Sequence, residues 1–379
     1  MANATFQDYF AGGRMTQIAE AATVKANVPR VLPDPFYAAG PTKPFDDKVQ
    51  YPSVTWNRNG IPVIARNSPP RAISLGNAQW NFATVFNMKE EMEIPPDFIA
   101  SLFSNYGTIA DNARMELNRR MIQFNQRADL TRTGMVHSLF ANGKIWIGSD
   151  GQVLASSSGA VITMDPGIPT GNKFTKDGAA STYNIGDWSS TSTDIGGNLR
   201  TLQNANVQAN GYLINTLVYG TSIPGYLAAN TTLNGYFQRN QLFRDTLVTT
   251  NDIPNGFLGM NWIPARLAYS VSAAGTATAT FASNFLAAMP QLDNGWYEFV
   301  EGGTLVPNGV AGGTEVHPNT TIEALLNLNR VVNGKYAYGV YKSYPVVGTS
   351  MVQGDCAGPV LKVPGTSSVS GVYYFGTCS

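Results

Sequence analysis

The residues best suited to chemistry are few. The 379-residue chain has two histidines, His137 and His317, and two cysteines, Cys356 and Cys378. A structural zinc site draws such residues from closely spaced pairs. Here the histidines stand 180 positions apart, and the four residues fit no zinc spacing. His137 falls in a segment of helical periodicity and reads as structural, whereas His317, just before Pro318, reads as an exposed loop residue. A disulfide between the cysteines is open, but nothing signals an oxidising compartment, and two buried or free thiols are the preferred reading.

Nucleotide and hydrolase signatures are missing. The sequence has no G-x-x-x-x-G-K-[ST] phosphate loop, no G-x-G-x-x-G, no G-x-S-x-G elbow and no H-E-x-x-H. No cofactor or metal is expected, and the chain does not read as an enzyme. Carboxylates cluster at Asp46-Asp47 and at Glu90, Glu91 and Glu93. Two facing carboxylates can cleave a glycosidic bond, which sequence spacing does not exclude. A solvated or partner-facing patch is the simpler reading. Upstream of the glutamates lie Arg58, Arg66 and Arg71, at the outer half of an expected strand excursion whose base carries Glu90, Glu91 and Glu93. In a closed ring of identical subunits, the tip of one copy would meet the base of the next. Scattered surface charge is the alternative.

The elements that must position these residues begin with one long helix. Ala110, Ala113, Leu117, Met121, Phe124, Ala128, Met135 and Leu139 recur at threes and fours, the spacing of a single helical face. Pro95-Pro96 blocks helix upstream, Thr108 is the expected N-cap, and Asn142-Gly143 is the stop. Asp111 with Arg114, and Glu116 with Arg119 and Arg120, form the expected ion pairs along its wet flank. The rod would be about 50 Å long. Gly134 marks an expected kink.

Composition describes what surrounds this helix. Only 13% of residues are charged while 43% are hydrophobic, so the chain is ordered and hides surface against partners. Net charge is zero, which gives no sign of nucleic-acid binding. No apolar run reaches the ~18 residues of a membrane span, and the first residues lack the features of a signal peptide, so folding in a cytosol is expected.

In chain order, residues 1–48 read as an arm. It holds a short helix at Met15–Asn27 and then a proline-rich extended stretch that lies along a surface. Residues 49–93 read as a two-stranded excursion with its tip near Pro69 to Gly76, carrying Trp56, Trp80, Phe82 and Phe86. An isolated hairpin is marginal in water, so these aromatics must lie against something, such as another subunit. A compact hairpin over 144–154 follows the helix, with Asp150-Gly151 as its turn. Residues 155–198 are Ser/Thr/Gly-rich, with Trp188 as their anchor. A small α/β unit has helices at Leu199–Asn210 and Ile223–Leu233 around a buried strand at Ile214–Tyr219. Strands are expected at Ile263–Val271, Thr276–Phe281, Lys335–Tyr344 and twice within Pro359–Cys378, a flexible loop over 302–313, and a helix at Thr321–Asn329.

This order of parts resembles the lambda-like (major capsid protein E) family of tailed-bacteriophage major capsid proteins, which has the Hong Kong ninety-seven-type coat fold. The runs VTWNRNGIPVIA and NSPPRAISLGNAQWNFATVF are similar to that family's loop strands. GKIWIGSDGQVL is similar to its hairpin after the long helix, and VYGTSIPGYLAANTTLNGYF to the strand-turn-helix of its axial lobe. The resemblance implies an α+β fold with an N-terminal arm (1–48), an extended β-hairpin loop (49–93), a spine helix and peripheral domain (94–198), an axial domain (199–334) and a return to the peripheral domain (335–379). It implies hexamers and pentamers closing into an icosahedral shell around phage DNA, contacted non-specifically. Trp56, Arg58, Arg66, Arg71, Trp80, Phe82, Glu90, Glu91 and Glu93 would be inter-subunit contacts. A scaffolding segment, if needed, would be a separate protein. A decoration protein and a portal are further partners, and the location is the virion, assembled in the host bacterial cytoplasm. Other classes are a tail-tube or decoration subunit, or a β-rich carbohydrate-active enzyme.

Overall fold

The computed structural model describes residues 30–41, 48–54, 78–102, 107–178, 182–265, 269–271, 277–292, 295–307, 314–316, 329–333, 337–343, 348–362 and 372–379. A short helix, α1 (Pro96–Leu102), precedes the dominant element, α2 (Gly107–Asn142), 36 residues long and so about 54 Å from end to end. Upstream of the proline pair the chain is strand to Ile94, as expected, and Pro96 itself starts α1, because its fixed φ suits the first helical position. The buried face of α2 runs through Ala113, Leu117, Met121, Met135, Val136, Leu139 and Phe140. On the wet flank, Arg114 pairs with Asp111 at 3.1 Å, and Glu116 pairs with Arg119 at 3.1 Å and Arg120 at 2.9 Å, as the spacing predicts. The helix runs through Gly134 without interruption. A Cβ there would make ordinary contact with Val153 at 3.4 Å, so the packing does not require a glycine at this position. At the end, Gly143 takes φ +68 and donates to the carbonyl of Leu139 at 2.8 Å, satisfying one of the orphan carbonyls.

A six-stranded mixed sheet lies beside the C-terminal half of α2. Its order is Tyr183–Asn184, Lys173–Thr175, Tyr374–Thr377, Phe285–Met289, Thr216–Tyr219, Asn261–Pro264. Side chains alternate across a strand, and here each face has its own core. Phe285, Ala287 and Met289 join α2's Met135, Val136, Leu139 and Phe140, while Leu286 and Ala288 face the opposite way. That second core is capped by α3 (Ile195–Asn210), α4 (Ile223–Ala229), α5 (Asn234–Arg239) and α6 (Gln241–Thr250). Trp188 anchors it as expected: it is 1% exposed, its indole N–H donates to the carbonyl of Ile185, and its backbone N–H donates to that of Cys378 at 2.7 Å. Asp194 caps α3 by accepting from the N–H of Gly197 at 2.9 Å.

The second sheet has five strands built on the 14-residue strand Gly348–Leu361. Phe86–Ile94 and Tyr297–Glu301 pair with successive parts of it, from Ile94↔Thr349 to Phe86↔Ala357 and from Glu301↔Ala357 to Tyr297↔Leu361. Ala337–Ser343 pairs along Gly348–Gly354, and Thr314–Val316 adds parallel to Ala337–Ser343. α2 packs along Gly348–Leu361. Arg132 of α2 forms a buried ion pair with Glu301 and lies over the ring of Phe299, tying the middle of the helix to this sheet.

Several expectations need correction. The hairpin after α2 is present, with an Ile147↔Val153 bridge and Gly151 at φ +74, but the main partner of Ile145–Gly148 is Ala160–Met164. That strand lies in the Ser/Thr/Gly-rich stretch 155–198, where only Trp188 was singled out. Gly303–Pro307, assigned to a flexible loop, pairs with Asn329–Asn333, so Asn329 opens a strand. The segment read as one strand over Ile263–Val271 holds two, Asn261–Pro264 and Tyr269–Val271. Phe285–Met289 and α6 were not anticipated. Residues 30–41, part of the expected arm, lie along a surface of this chain itself. Val31, Leu32, Phe36 and Tyr37 are buried in this chain's own core against α2 and Trp296. The expected helices at Met15–Asn27 and Thr321–Leu328 lie outside the described residues.

Candidate inter-subunit surfaces

The candidate contact residues fall on one continuous run of chain. Lys48–Val54 and Ala78–Thr84 form a two-stranded antiparallel ribbon, paired from Lys48↔Thr84 to Val54↔Ala78. Its strands pair with no third strand among the described residues. Trp80 stands opposite Pro52 and Phe82 opposite Gln50. The outer part of the excursion, with Trp56, Arg58, Arg66 and Arg71, lies outside the described residues.

The root of the ribbon is well defined. Val49 and Val85, both nearly inaccessible, close a small core with Val300, Cys356 and Val360. Immediately after Val85 the chain becomes the strand Phe86–Ile94 of the five-stranded sheet. Gly358 faces Val85 at this junction, where a Cβ would make ordinary contact at 3.4 Å. The ribbon is therefore the continuation of a sheet strand, so a load on it is delivered to the sheet. Glu90, Glu91 and Glu93 lie on that strand opposite Gln353, Val352 and Ser350. The structure thus joins Trp80, Phe82 and the three glutamates through one backbone path.

Sequence reasoning missed a second set of surface residues. Ile109 and Met115 on the first half of α2, Val161 and Ile162 on Ala160–Met164, and Leu242 and Val248 on α6 are large, apolar and exposed, Leu242 by 79%. Val161 and Ile162 are adjacent on one strand and so point to opposite faces, yet both are open to solvent. The signal was there, in the AVITM run within a Ser/Thr/Gly-rich stretch.

The residues suited to chemistry sit in structural roles. His137 is buried, and burial pushes its imidazole down to about 4. Cys356 and Cys378 are free and buried, and burial pushes the Cys378 thiol up to about 12. Among the described residues no group of three or more His, Cys, Asp or Glu is placed to hold a metal ion. Among them too, no helix is long and apolar enough to cross a membrane.

No family model matches the sequence. No curated protein matches it either. Solved structures do. A protein assigned as the capsid protein of a prophage of Escherichia coli CFT073 matches with a TM-score of 0.50 and 12% identity over 97% of this chain and 99% of the other. A phage-related protein from Bordetella bronchiseptica RB50 matches with a TM-score of 0.44 and 10% identity, covering 97% of each chain. A subunit of the capsid of the cyanophage P-SCSP1u matches with a TM-score of 0.41 and 11% identity over 94% and 90%. At such identities the first of these likenesses speaks to fold alone: this chain and the E. coli prophage protein share an architecture from end to end.

Proposed function

We propose that the chain is the major coat subunit of a tailed bacteriophage or a related particle, assembling with itself as hexamers and pentamers into an icosahedral shell around DNA. The observation that carries this reading is the end-to-end fold match to the prophage capsid protein, 97% of one chain on 99% of the other. The physical layout supports it. A thin ribbon rooted in a sheet cannot bury its own aromatics, so Trp80 and Phe82 call for a neighbour. The 36-residue helix is far longer than a single core requires and gives each subunit a stiff member. Low charge and the exposed apolar side chains are what remains when a surface is destined for contact.

In this reading the ribbon and the segment 55–77 overlie a neighbouring subunit, with Trp56, Trp80 and Phe82 as apolar anchors. Arg58, Arg66 and Arg71 of one copy face Glu90, Glu91 and Glu93 of the next. The arm, the spine helix, and the peripheral and axial lobes take the roles they have in the Hong Kong ninety-seven-type fold. Packaged DNA is met non-specifically, and scaffold, portal and decoration proteins are separate chains. The subunit does no catalysis and holds no cofactor; its work is geometric.

Trp56→Ala and Trp80→Ala test this. Both are expected to lower the yield of assembled particles at least tenfold while the unfolding free energy of the dissociated subunit changes by less than about 1 kcal/mol. Unchanged particle yield from both variants would count against the ribbon as an assembly element.

A further inference from the structure

The segment 30–41 is held on the body of the protein through one titratable side chain. The backbone N–H of Val31 donates to Nε2 of His137 at 3.3 Å, and the Tyr37 hydroxyl lies 2.9 Å from the same nitrogen. The N–H of Leu32 in turn donates to that hydroxyl at 3.3 Å. Accepting the Val31 N–H requires Nε2 to carry no proton, so the ring is neutral and Tyr37 donates to it. His137 is 2% exposed and lies edge-on to Tyr37 and to Phe281.

Among the described residues, the surroundings offer no counter-charge to an imidazolium. From the segment itself come Tyr37, Arg30 and Asp34; Arg30 stacks on the Tyr37 ring at 4.8 Å and pairs with Asp34 at 3.1 Å. From the strand side comes the apolar ring of Phe281. From Tyr297–Glu301 the two carboxylates are Glu298, held by Lys362, and Glu301, held by Arg132. The remaining ties of the segment do not titrate in the neutral range. Tyr297 donates to the carbonyl of Phe36 at 2.6 Å, and the N–H of Gly40 donates to Phe299 at 2.7 Å.

We propose that residues 30–41 form an acid-releasable clasp, docked on α2 while His137 is neutral and released as the imidazole takes a proton. A proton on Nε2 replaces an acceptor by a donor aimed at the Val31 N–H, and it places a charge among aromatic rings. Both effects favour leaving. Freed, the twelve residues would extend the reach of the N-terminal chain by up to about 40 Å. The inference concerns this chain's own contacts and holds whether or not the coat reading does.

The sign and size follow from linkage. The ring titrates near 6.5 when released and near 4 when docked. Docking is therefore at full strength above pH 6.5, weakens about tenfold per pH unit down to 4, and levels off below that, some 300-fold weaker. Between pH 7 and pH 5 the change is about 20-fold.

Hydrogen exchange on the full chain reads this directly, with rates corrected for the intrinsic pH dependence. The amides of Val31, Leu32 and Gly40 are expected to lose protection about 20-fold from pH 7 to pH 5, while those of Met135–Phe140 keep theirs. His137→Gln keeps an acceptor that does not titrate, and its profile is expected to be flat. An equal loss in His137→Gln, or no loss in the wild type, would overturn the proposal. Should that variant not fold, His137→Asn serves as a second side chain that does not titrate, and its profile is likewise expected to be flat; an equal loss there would also overturn the proposal.

Discussion

Truncating Phe140 probes the junction on which this architecture depends. Its side chain is 1% exposed. Its ring centroid lies 5.0 Å from Tyr373, 5.4 Å from Phe36 and from Tyr297, and 6.2 Å from Trp296. These partners belong to the clasp, to the start of Tyr297–Glu301 and to the C-terminal stretch, so one ring joins three distant parts of the chain to α2. A buried Phe→Ala change costs about 3–5 kcal/mol. Ring pairs of this geometry add about 0.5–1.5 kcal/mol each beyond area. Neighbours drawn from separate elements cannot collapse together into the gap, which places Phe140→Ala near the top of that range, at about 5 kcal/mol. Phe140→Leu keeps most of the volume and should lose about 1.5 kcal/mol. The control is Val161→Ala, at a side chain 69% exposed, expected within about 0.5 kcal/mol of wild type. Urea unfolding followed by tryptophan fluorescence measures all three. A loss below about 1.5 kcal/mol for Phe140→Ala would refute the role given to this cluster.

Other expectations use the same assay or a simple one. Arg132→Met leaves Glu301 charged and buried without its partner, and should destabilise by about 3–5 kcal/mol. Gly220→Ala would put a Cβ 2.4 Å from the carbonyls of Ala282 and Ser283, backbone that cannot move aside, and should cost more than about 3 kcal/mol in the same unfolding measurement. Asp194→Ala removes the α3 cap and should cost about 1 kcal/mol. At pH 8 roughly one Cys378 thiol in ten thousand is ionised, so a thiol reagent should label it only after denaturant is added; prompt native labelling would contradict its burial.

What the sequence made legible depended on periodicity. α2 announced itself through threes and fours and through acid–base pairs at matching offsets, all three of which form. Trp188 stood out as a lone large ring in a polar stretch. Phe285–Met289 was hidden for a physical reason: both its faces are buried, so FLAAM shows no alternation. Gly348–Leu361 was largely missed, only its end from Pro359 falling within an expected strand, because Gly354, Gly358 and Pro359 interrupt the pattern. The glycines of 302–313 suggested a loop where Gly303–Pro307 pairs. The clasp was unreadable in principle. Its prolines spell extended chain, but nothing local says that the surface beneath is α2 of the same subunit. Of the candidate contact residues, Trp80, Phe82 and the glutamates could be placed as strand positions by alternation and flanking turns. Their partners, if on another subunit, leave no local trace in one chain.

The most direct measurement is electron microscopy of the purified full chain over a rising concentration series, paired with sedimentation velocity on the same samples. The account predicts rings of five and six or closed shells, sedimenting far ahead of a 40.7 kDa subunit. A single monomeric boundary at every concentration, with no rings or shells on the grids, both for the chain alone and for the chain co-expressed with its phage's scaffolding protein, would contradict it.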